Sequence, residues 1–129
     1  LTSNPVLGHI TTFGGHPVSC AAGLAAMKAL QEENIISGVT AKEKLFLSLL
    51  KHPKIKAVRS AGLLIAVEFE SFEKNKAVID CCIETGILTD WFLFAPECMR
   101  IAPPLNISNE AIIKACGIIV DAINKINYE

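Results

Sequence analysis

Val58-Arg59-Ser60-Ala61-Gly62-Leu63-Leu64-Ile65-Ala66-Val67-Glu68-Phe69-Glu70 is the stretch on which the fold turns. From Leu63 onward the side chains alternate: Leu63, Ile65, Val67 and Phe69 share one face, while Leu64, Ala66, Glu68 and Glu70 share the other. A period of two is the signature of a strand buried on one side. The pattern predicts two strands, roughly 55–60 and 63–70, joined at Ala61-Gly62. One face of their sheet is core.

Upstream, Thr40-Ala41-Lys42-Glu43 has the form of a capping box, with Leu45, Phe46, Leu49 and Leu50 recurring behind it at helical spacing. An amphipathic helix ending near Lys51-His52-Pro53 is expected. Before it, a helix from about Pro17 to Glu33 is apolar almost all round in its first half, which predicts burial on more than one side by a second domain or subunit. The arm before Pro17 is irregular. Downstream, Ser71 can cap a helix with the stripe Val78, Ile79, Cys82 and Ile83, stopped by Gly86. Short extended pieces follow at about 87–89, 91–94 and 98–102. Ser108 or Asn109 then caps a last helix with the stripe Ile112, Cys116, Ile119, Val120 and Ile123. Helices alternating with short extended segments predict an α+β fold, a small mainly antiparallel sheet with helices packed on one face.

The chain has 129 residues, 51% of them hydrophobic and 19% charged, the composition of a globular domain. Twelve basic against thirteen acidic side chains give a formal charge of -1, which leaves no electrostatic footprint for nucleic acid or an anionic membrane surface. No apolar run is long enough to suggest a membrane span. The five cysteines, Cys20, Cys81, Cys82, Cys98 and Cys116, are an odd set without C-x-x-C spacing. They read as small apolar filler in a reduced, cytoplasmic protein, with no metal site expected.

Two places could carry chemistry. In Thr11-Thr12-Phe13-Gly14-Gly15-His16-Pro17, two hydroxyls and two glycines lead into a helix that begins with proline. Glycine lets the backbone approach a ligand, proline suits the first helical position, and free helix amides attract anions, so the corner can hold a phosphate. A capping turn is the plainer reading. The second place is Arg100, just before the rigid Pro103-Pro104 pair, where a planar guanidinium could form a bidentate pair with a carboxylate. Arg59 within its strand, His9, His16 and His52 read as structural, and Trp91-Phe92-Leu93-Phe94 as core or interface.

The run from His9 to Pro17 with Cys20-Ala21-Ala22, the stretch Met99-Arg100-Ile101-Ala102-Pro103-Pro104-Leu105, and the segment from Val58 to Glu68 together resemble the class III aminotransferases of the ornithine and acetylornithine type. The family has glycine where Ile10 stands and asparagine where His16 stands. The resemblance implies pyridoxal 5'-phosphate as cofactor, an amino acid and a 2-oxo acid as substrates, with ornithine, acetylornithine or a related ω-amino compound as donor, and a homodimer. It implies that Thr12, assisted by Thr11, binds the cofactor phosphate of the partner subunit. Arg100 is implied to bind the substrate α-carboxylate, or to be held by an active-site glutamate until substrate arrives.

In the family the Schiff-base lysine and its aspartate partner lie in the large domain, upstream of the residue aligned to Leu1, so this stretch is expected to hold no catalytic residue and to be inactive alone. The implied organisation is residues 1–34 as loop and interface helix from the large-domain junction, and 35–129 as the C-terminal small domain of a fold type I enzyme, cut from a longer chain. The rival from a different class is a stand-alone α+β module for small-ligand regulation or oligomerisation.

Overall fold

A computed structural model describes residues 11–126, so the readings of His9 and Ile10 lie outside the described residues. The chain divides into two compact units, Leu1–Ile35 and Ile36–Glu129.

In the first unit, Thr11 to Gly15 form a turn and α1 spans Pro17–Glu32. Proline sits at the start of α1, where its missing N–H removes no helix bond. The helix forms as expected, but none of its residues is buried, and Val18, Leu24 and Met27 are 70%, 57% and 65% exposed. Burial on several sides needs opposing surfaces, and this unit has no second element of regular structure among its described residues to supply one. Cys20 shares that exposure and fills no core.

The second unit contains α2 (Val39–Leu49), β1 (Ala57–Ala61), β2 (Leu64–Glu68), α3 (Phe72–Glu84), β3 (Asp90–Phe92), β4 (Ala95–Ile101) and α4 (Asn109–Lys125). A short 3-10 turn, Ile35–Gly38, leads into α2. The strands form one antiparallel sheet in the order β1-β2-β4-β3. Leu63, Ile65, Val67 and Phe69 are all buried, as their alternation required. Met99 and Ile101 extend that face on β4, and α3 and α4 cover it with Val78, Ile79, Ile112 and Ile119, while Phe46 of α2 packs into the same core. Each fully buried side chain of this size contributes roughly 1.5–3 kcal/mol. The layer is α+β with its helices on one face.

The helix ends follow local chemistry. Ser71 and Ser108 accept from the N–H groups of Lys74 and Ala111 at 3.4 and 3.2 Å, the bonds that start α3 and α4. At the other end of α3, Gly86 has φ of +92°, its N–H donates to Ile83 O at 3.0 Å, and the Ile87 N–H reaches Cys82 O at 2.9 Å. This is a Schellman stop, and it needs the left-handed residue that glycine supplies. The expected box at the start of α2 is not made: the helix already begins at Val39, its N-cap is Gly38, and no side chain caps it. Glu43 instead accepts from the Gly62 N–H at 3.1 Å, because the β1–β2 turn lies within its reach and has an amide to satisfy. Ile83 also departs from expectation, standing 46% exposed at the rim of its stripe.

The C-terminal carbonyls of α4 are met from outside the helix. Lys54 Nζ donates to Ile123 O at 3.2 Å and to Ile126 O at 2.7 Å, placing a cation where the helix dipole favours one. His52 Nδ1 accepts from the Lys54 N–H at 3.1 Å, so its Nε2 is the nitrogen that carries the proton toward Asn124 Oδ1 at 3.0 Å. His52 is a structural tie. Among the described residues, no helix is long and apolar enough to cross a membrane.

Candidate functional site

The outer face of the sheet, opposite the core, carries Arg59, Glu68, Asp90 and Arg100. Register places Arg59 of β1 opposite Ala66 of β2, Ala66 opposite Arg100 of β4, and Arg100 opposite Asp90 of β3. Glu68 and Cys98 form the adjoining pair on β2 and β4. Directly opposite side chains on one face are neighbours, which sets Arg100 beside Asp90, while Arg59 reaches Glu68 on the diagonal.

Arg100 meets Asp90 as a fork. Its Nε–H donates to Oδ1 at 2.8 Å and its Nη2–H to Oδ2 at 2.6 Å. The side chains are 46% and 50% exposed, so a ligand in solution can reach the guanidinium. Thr89 Oγ1 donates to the carbonyl of Arg100 at 2.6 Å and pins the backbone behind it. The sequence reading singled out Arg100 and missed Asp90. The signal was present only in the register, which an irregularity between Trp91 and Phe92 shifts.

Arg59 pairs with Glu68 through Nη1 and donates from Nη2 to Cys98 Sγ at 3.3 Å. The Glu68 carboxylate, first through this hydrogen bond, holds the Arg59 guanidinium above its ordinary pKa. Cys98 is buried, yet it belongs to the outer face and not to the core cluster. Burial pushes its thiol up, with Arg59 pulling the other way, so it stays protonated at neutral pH. An open groove of about 480 Å³ runs along this face, lined by Arg59, Ala66, Phe92, Phe94, Cys98 and Arg100. Trp91 is 38% exposed and is not core; its ring meets Phe72 edge-on at 5.3 Å. Leu93 and Phe94, at the hairpin tip, are 79% and 96% exposed and are not core.

Thr11 and Thr12 lie in the other unit, and both are exposed. The Gly14 N–H donates to Thr11 O at 3.3 Å and the His16 N–H to Phe13 O at 3.2 Å. A Cβ at Gly14 would collide with Thr11 Oγ1, so only glycine lets the hydroxyl occupy that place. Gly15 takes a φ of +77°. His16 is the N-cap of α1 but makes no side-chain cap bond, and the first intrahelical donor is Cys20, to His16 O at 2.9 Å. The N–H groups of Val18 and Ser19 therefore precede the helical ladder. Hydroxyls, a turn without a Cβ at its crowded point and free helix amides are the donor set that fits a phosphate.

The family description Aminotransferase class-III matches residues 2–123. The acetylornithine aminotransferase of Caldanaerobacter subterraneus is 30% identical over 125 residues, which cover 93% of this chain and 31% of the relative. The [LysW]-aminoadipate semialdehyde transaminase of Deinococcus radiodurans is 34% identical over 127 residues, or 95% of this chain and 29% of that protein. Among solved structures, a Bacillus anthracis aminotransferase superposes with a TM-score of 0.80 at 28% identity, covering 94% of this chain and 31% of its own. An ornithine aminotransferase from Toxoplasma gondii, whose active site holds PLP at partial occupancy, superposes with a TM-score of 0.75 at 32% identity, covering 89% and 28%. The chain spans about a third of the length of these relatives. With nearly its whole length matched, it belongs to the class-III aminotransferases, a family of pyridoxal phosphate enzymes.

Proposed function

We propose that this chain is the C-terminal part of an aminotransferase that moves an amino group between an amino acid and a 2-oxo acid. The donor class is ornithine, acetylornithine or a related ω-amino compound. Support comes from the relatives, several of which are acetylornithine aminotransferases or an ornithine aminotransferase. In this reading residues 1–34 are loop and interface helix, residues 35–129 are the C-terminal small domain, and the chain alone does not turn over. The active protein is a cytoplasmic homodimer.

The observation that carries the reading is Arg100, a half-exposed guanidinium held in a bidentate fork at the end of β4. A group already seated on one carboxylate has the shape and charge to receive another. Arg100 binds the α-carboxylate of both substrates and so fixes which end of the molecule reacts. Thr12, with Thr11, donates to the cofactor phosphate of the partner subunit. The cofactor, when bound, supplies the electron sink that amino-group transfer requires. Cofactor retention thereby depends on assembly, because the loop acts in trans.

Arg100→Lys in the full-length enzyme tests the assignment. Lysine keeps the charge and loses the planar fork, so both half-reactions should lose roughly 2–4 kcal/mol of transition-state stabilisation while the cofactor spectrum stays normal. Normal rates with amino acid and oxo acid alike would remove Arg100 from the site. Loss of bound cofactor would mean that its role is misassigned.

A further inference from the structure

We infer that Asp90 is a positioning residue for Arg100: it takes one edge of the guanidinium and leaves the other edge turned out for the substrate carboxylate. The inference rests on the proposed role of Arg100. A guanidinium offers two edges on which a carboxylate can sit in bidentate fashion, the side edge of Nε and Nη2 and the end edge of Nη1 and Nη2. Asp90 occupies the side edge, at 2.8 and 2.6 Å. Among the described residues, Nη1 makes no hydrogen bond. The end edge is the one left to a ligand.

The architecture makes Asp90 a fixture. Aspartate has a short side chain, and this one stands directly opposite Arg100 on the neighbouring strand. Thr89, the preceding residue, is bonded to the Arg100 carbonyl at 2.6 Å, so two successive residues clamp the arginine from backbone and side chain. An arginine in an open groove otherwise explores many rotamers, and seating it in advance removes that entropy cost from substrate binding. Because the pair is about half exposed, a second carboxylate can approach without displacing the first. The fork also sets the guanidinium plane, which fixes the plane in which the substrate carboxylate must lie.

The test uses the full-length enzyme, with Asp90→Asn, Asp90→Glu and Arg100→Lys compared in both half-reactions. Propionate serves as a competitive probe of the carboxylate seat. Asparagine keeps the size of aspartate but turns an N–H toward the guanidinium, which breaks the fork. Asp90→Asn should raise KM for amino acid and oxo acid, and Ki for propionate, by roughly tenfold to a hundredfold, with kcat changed much less and with cofactor affinity and melting temperature unchanged. Asp90→Glu, which keeps the charge on a longer stem, should show a smaller rise and carries the test if the asparagine variant does not fold. An unchanged KM overturns the inference. So does a lower KM, which would make Asp90 a competitor for the substrate's place, and so does a loss of cofactor in step with KM, which would make its role structural. Arg100→Lys separates the two levels. If it impairs both substrates while Asp90→Asn does not, only the inference about Asp90 fails; if it impairs neither, the reading of Arg100 fails and takes the inference with it.

Discussion

A residue's chemistry here is decided by which side chains the neighbouring strands bring within its reach. Arg59 and Arg100 occupy one cross-strand row, both facing away from the core and each with a carboxylate in reach. Arg59 ties Glu68 and Cys98 together, whereas the Asp90 fork leaves one edge of Arg100 open. Thr12 carries the corresponding prediction in the other unit. Valine at that position replaces a hydroxyl with a methyl of similar size, so Thr12→Val in the full-length enzyme should leave the fold intact. Losing one hydrogen bond to a charged phosphate costs roughly 1.5–3 kcal/mol, a tenfold to hundredfold weakening of cofactor binding. Cofactor dissociation followed by absorbance is the measurement, and an unchanged constant would reduce Thr12 to a turn residue.

At the scale of elements, the sequence was legible wherever a local rule acts alone. The alternation from Leu63 to Phe69, the Ser71 and Ser108 caps and the Gly86 stop each depend on residues a few positions apart, and each is found as read. What depended on tertiary proximity was not legible. Glu43 reads as a capping-box acid, but a turn amide brought close by folding takes its carboxylate. The β3–β4 hairpin is the sharper case. Phe92 faces Ala95, and counting back without interruption would set Asp90 against Glu97; the bulge between Trp91 and Phe92 sets it against Arg100 instead. No periodicity announces that shift, so Asp90 stayed hidden while Arg100 was visible. Gly86→Ala tests the element that runs into this hairpin. At a φ of +92° a Cβ is strained, and the variant should lose roughly 1–2 kcal/mol, read as a lower urea midpoint with unchanged slope. An unshifted midpoint would show that the α3 stop tolerates another conformation.

For the whole molecule, the buried thiols set an alkaline limit. Burial pushes Cys82, helped by the neighbouring Cys81, and Cys116 from an ordinary 9.0 up to about 11. Between these values the unfolded chain gives up protons that the fold retains, so stability is complete below about pH 9 and falls as pH rises toward 11. The loss is on the order of 2 kcal/mol for each thiol. Denaturant midpoints of this chain measured from neutral pH to pH 11 should decline across that window, and a Cys116→Ala variant should decline less steeply. A midpoint flat to pH 11 would mean that these thiols titrate normally in the fold.

The pairing of both outer-face arginines with acids from their own sheet also bears on the order of events in the cell. Arg59 with Glu68, and Arg100 with Asp90, balance charge inside a single unit, so no partner need arrive to neutralise them. A segment with self-compensated charge and its own apolar core can close soon after it leaves the ribosome. Its outer face is then a finished surface before any ligand reaches it.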